Sequence, residues 1–376
     1  MMFLTMTTPP QTEVAHVTTA HPPTDNRIMR KECTSLAEAG IDVCLVAVAD
    51  HDQMIDGVQI RALPRRGSRY TRMILGPLDA WRMLRVLRPS LIHVHDPELI
   101  PLALLWRLGH GRKAIYDAHE DLPKQVMGKP YIPGLLRKLV ARFAHMLEAT
   151  ADKHLDAIVA ATPSIARNFT HAPVVLVQNF PWLRDFPEPV TPESGEKPKI
   201  AYVGGITAER GGVEMIRGVK ESNHRPELVL AGPATGDMEK LMAEESDNGI
   251  TYLGVLPVDR VPGIVADSRA GLVLFHPLPN HLECQPTKLF EYMAAGRPFV
   301  ASNFKSWQSL LSEFDCGFFI DPLDVQALRE TLDRIIDDPE SAREMGRRGR
   351  EALVKSFTFE IEAEKLIAMT RELLKI

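Results

Sequence analysis

Two glutamates, Glu283 and Glu291, stand with seven residues between them in the run HLECQPTKLFEYMAAGRPFVASN, residues 281–303. The spacing predicts a short helix from about Pro286, because proline is favoured at a first helical position, where its missing N–H would be an orphan anyway. Leu289, Phe290, Met293 and Ala294 give that helix an apolar side, Gly296 stops it, and Arg297–Ala301 reads as a buried strand. Thr287, Lys288 and Glu291 then share one face. A helix N-terminus with an ammonium beside it suits a phosphate, and carboxylates suit the vicinal hydroxyls of a ribose or a hexose. Together these groups describe a site for a nucleotide sugar. The plain alternative is a surface loop glutamate and an exposed Lys–Glu pair worth a few tenths of a kcal/mol, and spacing alone does not separate the two.

Other chemistry-bearing residues fall at the ends of expected strands. Lys199–Val203 reads as a strand, followed by Gly204-Gly205-Ile206-Thr207-Ala208-Glu209-Arg210-Gly211-Gly212 and a helix. Glycines let backbone approach a ligand, and Arg210 offers a planar fork to phosphate oxygens. The strand Ala114–Asp117 runs into Ala118-His119-Glu120-Asp121. Ligands of open parallel sheets bind beyond the carboxyl ends of strands, which places His119 well. Asp25, in the loop after a first strand at Glu13–Thr19, either caps the next helix or stands near an acceptor. Asp96, before Pro97, reads as a helix N-cap. No Asp-x-Asp metal motif is read at a strand end.

The elements that must position these residues alternate strand and helix. NRIMRKECTSLAEAG puts Met29, Cys33, Leu36 and Ala37 on one helical face and stops at Gly40, between strands at Glu13–Thr19 and Asp42–Val48. Repetition of this unit predicts a parallel α/β chain. No GxGxxG follows the first strand, which argues against a dinucleotide-binding dehydrogenase. A chain of 376 residues suggests two domains. The stretch RDFPEPVTPESGEKPKI, rich in Pro, Glu and Ser, marks the boundary. The expected division is 1–183, a linker at 184–197, 198–356, and a final amphipathic helix in 357–376.

With 45% hydrophobic residues, 25% charged residues and a net charge of −5, the composition is that of a soluble enzyme. The opening MMFLTMTTPPQTEV lacks the pattern of a signal peptide. The scattered Cys33, Cys44, Cys284 and Cys316 suggest reduced thiols in the cytoplasm rather than a disulfide frame or zinc site. Residues 60–145 hold 16 Lys and Arg against 6 Asp and Glu, a local balance of +10. Such asymmetry suggests an anionic partner surface. Within it, IPGLLRKLVARFAHML puts Leu135, Leu139, Phe143 and Met146 on one side and Arg137, Lys138 and Arg142 on others. This is either a helix packed on its own core or one that docks on anionic lipid. Few aromatics interleave with the charge and no reader motif is present, so nucleic acid is not expected.

The run PTKLFEYMAAGRPFVAS with its paired glutamates resembles the signature of retaining GT-B glycosyltransferases, family 4 (group 1). The resemblance implies a GT-B fold: two Rossmann-like domains with parallel sheets facing across a cleft, and a last helix that crosses back to the first domain. It also implies roles. Glu291 would hold the ribose hydroxyls, Glu283 the donor sugar, and His119 the sugar near its reacting carbon. Arg210 and Lys288 would meet the diphosphate, within a donor-binding set that includes Gly204, Gly205 and Leu289, and Asp25 would lie on the acceptor side. Two departures stand out. Cys284-Gln285-Pro286 replaces a Gly-Phe-Gly run, which removes one amide donor that Gln285 or Lys288 would compensate, and Gly205 stands where a first basic residue is common. The implied donor is a UDP-sugar or GDP-sugar, with no metal or other cofactor. The implied acceptor is a glycan or lipid-linked intermediate of bacterial cell-surface synthesis, handled in the cytoplasm or on the inner membrane face. A nucleotide-sugar 2-epimerase and a non-catalytic nucleotide-sugar-binding subunit are the rival readings.

Overall fold

The computed structural model describes residues 12–127, 133–189, 197–245 and 249–376. The start of the chain and residues 190–196 of the expected linker lie outside them. Two compact units form. One runs to Asn179 and takes in Ile361–Ile376, and the other is Phe180–Glu360.

The first unit has β1 (Val14–Val17), β2 (Val43–Val48), β3 (Gln53–Ile55), β4 (Val58–Leu63), β5 (Leu91–Val94), β6 (Lys113–Ala118), β7 (Ala157–Ala160) and β8 (Val174–Leu176). Their order is β3-β4-β2-β1-β5-β6-β7-β8, parallel except for the β3–β4 pair. Runs such as VCLVAV and AIVA are apolar at successive positions, as strands buried on both faces require. The order reverses between β1 and β5, the point beyond whose strand ends ligands of open parallel sheets bind. The loops carrying Asp25, Asp96 and His119 follow β1, β5 and β6.

The second unit has β9 (Lys199–Val203), β10 (Glu227–Ala231), β11 (Ile250–Tyr252), β12 (Ala270–Val273), β13 (Phe299–Ser302) and β14 (Gly317–Ile320). All are parallel, in the order β11-β10-β9-β12-β13-β14. The helix after the Glu283 loop is Thr287–Ala294, and Pro286 is its N-cap rather than its first helical residue. The Tyr292 hydroxyl donates to the Ala201 and Leu272 carbonyls, both at 3.2 Å, while a Cβ on Gly271 would overlap its ring. That contact presses the helix against β9 and β12 and fixes where its first turn stands.

Several expectations need correction. The β3–β4 hairpin was not foreseen, although Asp56-Gly57 carries its signal: both residues have positive φ, as a two-residue turn needs. Also unforeseen is the helix Arg69–Leu87, which opens on a Ser68–Thr71 capping box. An Asp-x-Asp run does follow a strand. Asp50-His51-Asp52 lies just past β2, exposed, with Asp52 accepting from Arg61 at 2.8 Å and from the Ala62 amide at 2.8 Å. Asp96 stands at the N-cap of a 3₁₀ turn at Pro97–Leu99, as expected, but its side chain does not cap that turn: the carboxylate accepts from the Thr18 hydroxyl at 2.9 Å and the Thr19 amide at 2.5 Å.

Much of the basic segment is paired within the unit: Arg66 with Asp79, Arg72 with Glu98, and Arg107 and Lys113 with Asp156. Helix Gly134–His154 buries Ala144, Glu148 and Ala151, while Leu136, Leu139, Val140, Phe143 and Met146 are exposed. Of the two expectations for this helix, packing of its Leu139–Phe143–Met146 side on its own core is the one the structure does not show. Ile132 and the Leu135 side chain fall outside the described residues. No helix of the described residues is long and apolar enough to cross a membrane.

Glu148 yields a pH prediction. Burial, helped by the nearby charge of Asp121, pushes its carboxyl up to about 8. A raised carboxyl contributes stability that is fully present below its unfolded value, 4.5, and is lost as pH rises through about 8. Glu148→Gln should therefore gain on the wild type as pH rises across that window, by about 3 kcal/mol or more at pH 8.5. Urea unfolding of both proteins at pH 5 and 8.5 checks this; a gap that does not widen refutes it.

Candidate active site

Two groups of functional side chains stand out, one on each unit. On the second unit, β9 ends in Gly204 and Gly205, and a 3₁₀ turn, Ala208–Arg210, follows. Gly204 has φ +138, and a Cβ there would overlap the Cε and Nζ of Lys288. A Cβ on Gly205 would come within 2.9 Å of Arg210 Nη1. The two positions without side chains are thus filled by two cations. Phe275 lies between them, its ring centre 5.4 Å from the Arg210 guanidinium and 5.8 Å from Lys288 Nζ, and Lys288 also lies 5.4 Å from the Tyr202 ring. Tyr202 donates to the Gly205 carbonyl at 2.8 Å. Burial pushes its phenol up to about 12.

Lys288 carries the tension of this arrangement. Burial pulls its pKa down; Glu291, one turn on, raises it, and Arg210 lowers it again. An anion placed before Gly204 and Gly205 would relieve both effects. Glu291 and Lys288 are half-buried and Leu289 is buried under the helix. The Gln285 side-chain nitrogen is buried without a hydrogen-bond partner among the described residues.

Glu283 is exposed on a turn whose neighbours are held fast. Ser306 donates to the Leu282 carbonyl at 2.6 Å and Trp307 Nε1 to the Cys284 carbonyl at 2.7 Å. The backbone on either side of Glu283 is therefore set by the helix Lys305–Leu311. His276 ties this region to the glycine loop, since its amide donates to the Glu209 carbonyl at 2.8 Å.

On the first unit, Asp25 Oδ1 accepts from the Arg27 and Ile28 amides, both at 2.9 Å, and so starts the following helical segment. Its Oδ2 lies 3.3 Å from His21 Nδ1. Burial opposes the charged form, but His21 and the two amides outweigh it and bring the carboxyl down to about 2. His119 Nε2 lies 2.8 Å from Asp117 Oδ2. The His21 and His119 rings are 5.5 Å apart. Behind them, wholly buried, stand His16, His93, His95, Glu32 and Arg27. Arg27 donates to both Asp117 oxygens, at 2.9 and 3.1 Å.

Among the described residues, Glu32, His93, His95 and Asp117 have the donor types to hold a metal ion, with one atom from each within 4.8 Å of the others. Arg27 already supplies positive charge there, bound to Asp117 and 3.0 Å from a Glu32 oxygen. A divalent ion would have to share the space with that guanidinium, so the group fits a neutralised polar core better than a metal centre.

Gly204, Gly205, Arg210, Glu283, Lys288, Leu289 and Glu291 therefore belong to the second unit, and Asp25 and His119 to the first. Sequence reasoning missed Phe275, Tyr202, Trp307 and the Arg27–Asp117 pair. His93 and His95, two apart in an otherwise apolar strand, were a legible sign of a shared buried polar face.

Comparison with known proteins places this geometry. The profile for glycosyl transferases group 1 matches residues 184–352, and that for the glycosyl transferase 4-like domain matches residues 26–175. An MMP alpha-(1->4)-mannosyltransferase of Mycolicibacterium hassiacum is 26% identical over 145 residues, 38% of this chain and 34% of that protein. The chain thus spans about a third of that relative's length. The sucrose-phosphate synthase of Thermosynechococcus elongatus superposes with a TM-score of 0.76 at 16% identity, over 96% of this chain and 99% of that one. Anabaena HepE, solved in complex with UDP-glucose, superposes with a TM-score of 0.72 at 12% identity, over 96% and 99%. With one profile on each half and a GT-B fold throughout, the chain belongs to the group 1, family-4-type glycosyltransferases.

Proposed function

We propose that this protein is a retaining glycosyltransferase that moves a sugar from a UDP-sugar or GDP-sugar to a hydroxyl acceptor. The observation that supports this most is the pair of cations, Arg210 and Lys288, packed into the space left by Gly205 and Gly204, with the Glu291 carboxylate one turn further on. The solved likeness to a UDP-glucose complex agrees with it. In this reading the diphosphate lies before Gly204 and Gly205 and takes its charge balance from Arg210, Lys288 and the start of helix Thr287–Ala294. Glu291 accepts from the ribose hydroxyls, and Leu289 packs beneath. Glu283, held by its gripped neighbours, orients the sugar, and the family resemblance also gives His119 a part in binding it. The base rests on the loop at Gly254, whose carbonyl accepts from the Gly232 amide at 2.7 Å. Asp25 and His21 line the acceptor side.

The chemical demand is to stabilise a departing diphosphate and an oxocarbenium-like centre. No side chain is assigned as a covalent nucleophile. The acceptor attacks from the leaving-group face, the C–O bond to the diphosphate breaks, and a leaving-group oxygen takes the acceptor's proton. The positive potential comes from side chains and a helix start, so turnover requires no metal.

The acceptor belongs to bacterial cell-surface glycan synthesis and is lipid-linked. The exposed Leu139, Phe143 and Met146 beside the exposed Lys138 and Arg142 support this reading. That face docks on the anionic inner leaflet, each basic residue adding about 1 kcal/mol.

Three outcomes follow. Excess UDP or GDP, at about 100 times its dissociation constant, should raise stability by about 2.7 kcal/mol in a thermal-shift assay. Lys288→Gln and Glu291→Ala should blunt that gain, and stabilisation by NAD alone would sink the donor site. Turnover of the nucleotide sugar so selected should survive excess EDTA, and its abolition would overturn the metal-free mechanism. Vesicles containing anionic lipid should bind the wild type at low salt, and binding should fall at least about tenfold when Arg137, Lys138 and Arg142 are changed to glutamine. Equal binding of the two proteins would remove the lipid surface from this account.

A further inference from the structure

Asp117 sits at the end of β6 with four donors around its two oxygens. Oδ1 accepts from Arg27 Nη2 at 2.9 Å. Oδ2 faces Arg27 Nε at 3.1 Å, His95 Nδ1 at 3.1 Å and His119 Nε2 at 2.8 Å. Burial alone would raise this carboxyl, but Arg27, His119 and His95 outweigh it and hold it well below the usual carboxylate range. An ionised carboxylate has no proton to give and can only accept. Each imidazole nitrogen that faces it must therefore carry a hydrogen, which places protons on His119 Nε2 and His95 Nδ1.

The contact between those two nitrogens, 3.2 Å, is then a meeting of two N–H groups at one acceptor rather than a bond between them. The assignment propagates inward. Burial lowers the pKa of His95, so it stays neutral and its Nε2 is bare. That bare nitrogen accepts from His16 Nδ1 at 2.9 Å. His16 is neutral for the same reason, and its own Nε2 is left bare and buried, without a partner among the described residues. Glu32, whose carboxyl is pushed well up by burial and by the charge of Asp117, closes the core with an oxygen 3.0 Å from Arg27 Nε. Toward solvent, the charged and titratable groups facing His119 are Asp117, His95 and His21, with Asp25 and Asp96 behind His21.

We propose that Asp117, locked by Arg27, is a positioning residue that fixes His119 in the Nε2-protonated tautomer. In its neutral form His119 then meets its ligand through a bare Nδ1, as a hydrogen-bond acceptor for a sugar hydroxyl. The hydroxyl assignment rests on the donor site proposed above; the tautomer does not. His119 thus discriminates by chemistry, since a hydroxyl can donate to Nδ1 while a phosphate oxygen cannot.

The test is nitrogen NMR of the full-length protein with ¹⁵N-labelled histidine at pH 7.5, the His119 signals being identified by their loss in His119→Ala. The expected spectrum has Nε2 protonated and Nδ1 bare. Protonation of Nδ1, alone or with Nε2, overturns the proposal and leaves the donor site untouched. Asp117→Asn, which can donate as well as accept, should mix the tautomers. Should the lone buried Arg27 unfold that variant, Asp117→Asn with Arg27→Gln removes both charges together. With the nucleotide sugar selected by thermal shift, Asp117→Asn should slow turnover about tenfold or more. In a His119→Ala background the same change should add less than about twofold. Additive losses assign Asp117 a purely structural role and overturn the proposal. Full turnover by His119→Ala would instead count against the role of His119 in the donor site.

Discussion

Two cations held together without an anion set the character of the second unit. Arg210 and Lys288 converge on Gly204 and Gly205 because those residues leave the room, and Arg210 helps to lower the pKa of Lys288. Glu291 offsets the repulsion only in part. Like charges in a half-buried place are costly unless a counter-charge arrives, which supports the proposed anion site. The packing of Tyr292 over Gly271 serves this end, since it fixes the helix that delivers Lys288 and Glu291.

The first unit solves a different problem. Its sheet carries polar residues where a parallel sheet is usually apolar; several pair with one another, while His16 Nε2, His93 Nε2 and both Glu32 carboxyl oxygens are buried without a hydrogen-bond partner among the described residues. Arg27 neutralises Asp117, Asp117 orders the imidazoles of His95 and His119, and His16 Nδ1 donates to His95 Nε2. Burial keeps the inner histidines uncharged. The π-helical turn at Ile28–Cys33 belongs to the same arrangement, since Arg27 precedes it and Glu32 lies within it.

Much of the fold was legible because apolar runs bounded by turn residues leave few choices. β9 falls where the pattern put it, and β2 and β6 end within one residue of the expected bounds. The hairpin at Asp56-Gly57 and the helix after Ser68 were written in the sequence and not read. The Asp50-His51-Asp52 run was overlooked, and its Asp52 is engaged with Arg61. Asp96 stands at the N-cap of the Pro97–Leu99 turn, where the local rules put it, but its side chain does not cap that turn. Its carboxylate is instead drawn to the Thr18 and Thr19 donors, more than seventy residues away in sequence.

The sequence by itself determined the α/β class, the two-glutamate run and its helix, and the strand ends where Arg210 and His119 would stand. These depend on spacing and local propensity, which a chain carries in its order. Only the tertiary structure decided that Gly204 and Gly205 are spaces for two cations, and that Ser306 and Trp307 grip the backbone around Glu283. It alone set the Asp117–Arg27 pair, which dictates which nitrogen of His119 faces outward. The reason is physical: a missing Cβ, a donated hydrogen bond or a fixed tautomer acquires meaning only from the atoms that packing brings against it.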